Sequence, residues 1–148
     1  MTRIRTLGLA LALATVTTAA ADDKKMAKLD PAKLVGTWTI TAGYKDEDKM
    51  DADKIKGPVV FTKDTISLTA TEKFEFKYTA DPATTPAGID MESTAPEAFK
   101  GAKAKGILAL DGDTLKLCYE PTGGDRPKAF EPKKGSGLFS FVLKKAAK

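Results

Sequence analysis

From residue 34 onward apolar and polar positions alternate in short runs separated by Pro, Gly and Asp, the pattern of half-buried strands and not of helices. In 34–42, Leu34, Gly36, Trp38, Ile40 and Ala42 fall on one face, and Val35, Thr37, Thr39 and Thr41 on the other. The lone tryptophan therefore points inward, with Gly36 leaving room for close packing beside it. Just before it, Asp30-Pro31 predicts a short helical turn: a side-chain acceptor at the cap, then a residue that needs no donor. Residues 45–57 are charged, and Asp51 and Gly57 can bound one further helical turn. Segments 58–63 and 65–69 read as a hairpin, with Ile66 and Leu68 on one face. In 72–79, Phe74, Phe76 and Tyr78 alternate with Glu75, Lys77 and Thr79 without a flaw. After a break at Pro82 and Pro86, 88–93 is a short strand with Ile89 and Met91 inward. Residues 94–105 read as a loop with a helical turn.

Residues 106–120 predict a second hairpin whose register follows from parity. Leu115, Leu117 and Tyr119 must face inward, because Lys116 and Glu120 take the other side. They meet Leu108 and Leu110 only across an even-length loop, so the turn is Asp111-Gly112 or Gly112-Asp113. Residues 121–137, rich in Pro, Gly and Lys, read as a long loop with a short edge segment near 128–130. A last strand, 138–144, turns Phe139, Phe141 and Leu143 inward and Ser140 outward. The count is about eight short strands without a long amphipathic helix. The fold class is all-β, and an eight-stranded up-and-down antiparallel barrel buries one face of every strand while leaving no open edge. A two-sheet sandwich is the alternative.

The first 21 residues stand apart from this pattern. Arg3 and Arg5 precede an apolar run that ends in small residues, Ala19-Ala20-Ala21, which is the form of an export signal. The run is shorter than the roughly 20 residues a membrane span needs. The expectation is thus a signal peptide over 1–21, a mobile segment and short turn over 22–33, and one soluble barrel domain over 34–148, periplasmic or extracellular and monomeric. Cleavage after Ala21 takes the side-chain charge from +4 to +2 as two arginines leave. Arg126 is then the one remaining arginine, and lysines interleaved with acids make no phosphate track, so nucleic acid is not an expected partner. A lone cysteine, Cys118, gives no internal disulfide, and a chain of this size can hold its core without one.

Several of these stretches together resemble one bacterial family of small, mostly exported, lipocalin-like domains of uncharacterised function. They are Leu34-Val-Gly-Thr-Trp38, Tyr78-Thr-Ala-Asp-Pro82 with Pro86 and Ile89-Asp90, Gly106-Ile107, Leu110-Asp-Gly-Asp-Thr-Leu-Lys-Leu-Cys-Tyr119, and Arg126-Pro127. The resemblance implies a lipocalin-like barrel closed by Trp38 and an exported protein; it implies no reaction. The chain departs from the family pattern at Lys77, often glycine there. It departs again at Lys144 and Lys145, where an arginine often lies across the tryptophan.

The absence of histidine removes Ser-His and Cys-His pairs, imidazole bases and the usual zinc sets, and no enzyme activity, metal or cofactor is expected. Asp111 and Asp113 flank a turn glycine and read as solvated, not catalytic. The acids of 46–53 lack the spacing of a calcium loop. Cys118 has outward parity beside Lys116 and Glu120, which predicts a surface thiol open to reagents but with no base to activate it. Arg126 reads as a salt bridge tying the long loop to the barrel, ahead of an anion site. The inward side chains Trp38, Phe61, Phe76, Tyr78, Met91, Leu108, Leu117 and Tyr119 either line a cavity for a small apolar molecule or simply fill the barrel. Two further readings stand beside ligand binding. One is a protein-binding or protease-inhibitor-like module that uses the N-terminal segment; the other is a packed structural barrel of the cell envelope.

Overall fold

The computed structural model describes residues 28–69 and 71–146. The signal expected over 1–21 and the segment 22–27 lie outside them. Among the described residues, no helix is long and apolar enough to cross a membrane.

The chain enters through a 3₁₀ turn, Pro31–Leu34, capped as expected: the Asp30 carboxylate accepts the Ala32 N–H at 3.1 Å. The strands are β1 (Gly36–Lys45), β2 (Asp48–Lys49), β3 (Pro58–Phe61), β4 (Thr65–Thr69), β5 (Lys73–Asp81), β6 (Ala87–Ala95), β7 (Lys103–Asp111), β8 (Thr114–Glu120) and β9 (Phe139–Lys145). A four-residue helix, α1 (Ala52–Ile55), follows β2, with Asp51 at its cap position. From β3 to β9 each strand pairs antiparallel with the next, and β1 pairs with both β3 and β9. This closes an eight-stranded up-and-down antiparallel barrel, the lipocalin-like form expected. β2 is a short ninth strand folded back on the end of β1.

The register of the β7–β8 hairpin is the one parity requires, Leu110 opposite Leu115 and Leu108 opposite Leu117. Its two-residue turn is Gly112-Asp113, with Gly112 at φ 57°, a conformation that glycine adopts without a Cβ penalty.

Three expectations need correction. β7 begins at Lys103, so the loop before it is shorter than the sequence suggests. No strand forms at 128–130; that stretch is irregular and lies over the barrel wall. Ala42 does not face inward. A bulge between Ile40 and Ala42 places one extra residue in β1, leaving Ala42 opposite outward Val142 and Gly43 opposite inward Phe141. The close approach suits glycine, since a Cβ at Gly43 would stand 3.0 Å from the Phe141 ring and 3.2 Å from Ile55.

Candidate functional site

Antiparallel order sorts the inward side chains by height. Trp38, early in β1, stands opposite Lys145 at the end of β9; Lys45, at the end of β1, stands opposite Phe139 at the start of β9. Tyr119, at the end of β8, also stands opposite Phe139. Trp38 therefore marks one end of the barrel, while Lys45, Phe139 and Tyr119 mark the other.

The Trp38 end is closed. Its indole is fully buried and donates to the Leu34 carbonyl at 2.8 Å, which fastens the entry turn under the barrel. The Lys145 ammonium lies 5.5 Å from the indole centroid and also donates to the Lys33 carbonyl at 3.3 Å. A lysine thus lies across the tryptophan, at one of the two positions where the chain departs from the family pattern it resembles. Phe61 meets Trp38 edge-on at 6.4 Å and Tyr78 at 5.8 Å. The Tyr78 hydroxyl donates to the Thr62 carbonyl at 2.7 Å, and burial, then the Asp64 charge, raises its pKa.

The other end is a mouth rimmed by apolar side chains. Leu68, Phe74, Phe76, Tyr119 and Phe139 are only partly buried there, as is inward-facing Ile40 midway along β1. Tyr119 stacks on Phe139 at 5.5 Å and on Phe141 at 6.1 Å, and Phe139 on Phe141 at 6.4 Å. The three rings are within 21° of parallel. Burial, then the neighbouring Cys118 sulfur, pushes the Tyr119 phenol well above its ordinary pKa, which keeps it a proton donor. Among the described residues the Tyr119 hydroxyl has no hydrogen-bond partner, so its donor and acceptor capacity is not used within them.

Of the eight residues proposed from sequence, Phe61, Phe76, Met91, Leu117 and Tyr119 line one interior cavity. Trp38, Tyr78 and Leu108 are not among its lining; Trp38 and Tyr78 belong to the closed end, and Leu108 is fully buried. Ile40, Val59, Ile66, Leu68, Phe141 and Leu143 complete the lining. None of these six is among the eight candidates, although strand parity together with alternating strand direction locates them. The cavity measures about 50 Å³. That admits a water or two, which need at least about 10–15 Å³ each. It is far below the roughly 300–1,000 Å³ of small-molecule sites.

The wall carries a second construction. Residues 121–137 run as a strap over the outer face of β6 to β9. The Glu120 carboxylate starts it by accepting from Thr122 N–H and hydroxyl and from Gly124 N–H; burial alone would raise this carboxyl's pKa, but these hydrogen bonds hold it below the ordinary value. Arg126 donates to the Ile89 and Gly106 carbonyls at 2.9 and 2.8 Å and to Asp90 at 2.7 Å, the loop-to-barrel tie that the sequence suggests. Gly88 lies beneath it, where a Cβ would stand 3.1 Å from the guanidinium. The Ser140 hydroxyl donates to the Phe130 carbonyl at 2.7 Å, and Asp46 accepts from Gly137 N–H at 2.6 Å.

The strap overturns the expected surface thiol. Cys118 does have outward parity, opposite Ile107 and Ser140, but it is 0% exposed. Burial, then the Glu131 charge, pushes its pKa up to about 11, so it stands as an inert thiol at neutral pH. A surface hollow of about 650 Å³ lies outside the barrel over β5 to β7 and is lined largely by charged side chains, among them Lys77, Asp90, Lys105 and Arg126. Its arginine is already engaged by Asp90.

Fold and site together define a small closed antiparallel barrel with one sealed end and one apolar mouth. Compared with known protein families, with curated proteins and with solved structures, the chain matches none of them.

Proposed function

We propose that this chain is an exported lipocalin-like binding domain, not an enzyme, and that its mouth takes part of a small apolar molecule. The observation that carries the reading is the stacked set Tyr119, Phe139 and Phe141, whose first two rings are only partly buried and whose hydroxyl no group among the described residues engages. Apolar rings with one convergent polar group are the usual make-up of a small-molecule site. Because the interior is nearly filled, the ligand sits at the mouth and does not pass down the barrel axis. Trp38 lies away from it, so calorimetry is a better reporter than tryptophan emission. A panel of fatty acids, aromatics and isoprenoids should include saturable binders, and Tyr119→Ala should weaken the best of them by about 1–2 kcal/mol. Absence of saturable binding across the panel would defeat this reading.

The small cavity favours one other reading, a packed barrel that serves as a scaffold in the envelope. The same panel separates the two, since a scaffold binds none of its members.

A further inference from the structure

The bulge in β1 has an electrostatic effect at the mouth. Without the extra residue, Ala42 and Tyr44 would continue the inward face of Ile40. With it, Gly43 and Lys45 do, and Lys45 comes to stand opposite Phe139. The Lys45 ammonium lies 5.7 Å from the Phe139 ring centroid. Phe139 is flanked on its other side by Tyr119, so cation, ring and free hydroxyl follow one another along the rim.

Among the described residues this cation is not drawn into a salt bridge, although acids stand near it at Asp46, Glu47 and Asp48. Asp48 stands across the β1–β2 hairpin from it, but among the described residues Lys45 forms no ion pair with that or any other carboxylate. Lys145 at the closed end makes a useful contrast: it too lies over a ring, but it donates to a backbone carbonyl and so completes the packing. A cation over one ring and an unengaged phenol on the next, above parallel aromatic faces, complement a flat apolar body with a negative end group.

Resting on the mouth-binding reading above, we propose that the ligand is a hydrophobic anion, an aromatic carboxylate or sulfonate, whose charged group Lys45 selects while Tyr119 and Phe139 hold its body.

The test is a matched series with one ring system and three end groups, 2-naphthoate, 2-naphthalenemethanol and 2-naphthylmethylamine, titrated calorimetrically into the full chain. At low salt the acid should bind about fivefold more tightly than the alcohol, the upper range for an exposed charge pair. The amine should be weakest, and added salt should shrink the spread. Lys45→Gln should bring acid and alcohol together, Lys45→Glu should favour the amine, and Tyr119→Phe should weaken acid and alcohol alike. Equal binding of acid and alcohol, or an acid preference that survives Lys45→Gln, overturns the inference and leaves mouth binding standing. If none of the three binds while another apolar compound does, the aromatic anion is wrong; if nothing binds at all, both readings fall together.

Discussion

The two ends of the barrel are built from the same residue types and use them oppositely. At the closed end the rings of Trp38, Phe61 and Tyr78 meet edge-on, and the indole N–H, the Tyr78 hydroxyl and the Lys145 ammonium each donate to a backbone carbonyl. At the mouth the rings of Tyr119, Phe139 and Phe141 lie nearly parallel, and among the described residues the hydroxyl has no hydrogen-bond partner and the Lys45 ammonium, 5.7 Å from the Phe139 ring centroid, forms no ion pair. Crossed rings with satisfied donors lock their neighbours in three directions, whereas parallel faces with unengaged donors leave capacity for something outside the chain. The difference assigns stability mainly to one end and makes the other the place of the proposed binding.

Three pairs of substitutions test that division. The largest effect is expected from Trp38→Ala, which should cost about 3–5 kcal/mol in urea or guanidinium unfolding, as other large buried aromatics do. Phe76→Ala, at the partly open mouth, should cost no more than about 2 kcal/mol; equal losses at the two sites would erase the contrast. Next, Tyr78→Phe removes a buried hydrogen bond and should destabilise by about 1 kcal/mol, while Tyr119→Phe should leave the unfolding midpoint where it is. A stability loss from Tyr119→Phe would mean that its hydroxyl does have work inside the fold. Smallest is the lysine pair: Lys145→Gln should cost about 0.5–1 kcal/mol through the lost cation–ring contact over a buried indole, and Lys45→Gln less than half of that. Thermal midpoints measured at one protein concentration and one salt concentration would resolve the order.

How far the chain could be read from its letters differs from region to region. The barrel was legible because period-two alternation is a local signal that each strand states for itself, and because the inward parity of Leu108, Leu110, Leu115 and Leu117 admits only an even turn. Inward and outward are legible too, but parity carries no height along the axis, and so the candidate set groups Trp38, Tyr78 and Leu108 with cavity-lining residues that they do not join. The bulge after Ile40 leaves no mark in composition; Thr41 and Ala42 suit a regular strand equally well, and only pairing with β9 selects the irregular one. The strap was recognised as a loop, but its docking depends on Arg126 reaching carbonyls in β6 and β7, contacts 37 and 20 residues away in sequence. That is why Cys118 and Ser140, outward by parity, are nevertheless buried. Parity tells which side of a sheet a residue is on, and says nothing about what lies over that side.

The irregularity in β1 also bears on how this chain tolerates changes of length. A surplus residue already absorbed between Ile40 and Ala42 means that deleting Ala42 would straighten the strand while Gly43 and Lys45 still faced inward. In a regularly paired stretch of a closed sheet, a one-residue deletion exchanges the two faces of everything downstream until a loop or bulge can restore the phase. Descendants of this sequence could therefore lose a residue at this point of β1 and keep Gly43 and Lys45 in the lining, while the same loss within the regularly paired run 115–119 of β8 would turn the rest of that strand to the other face.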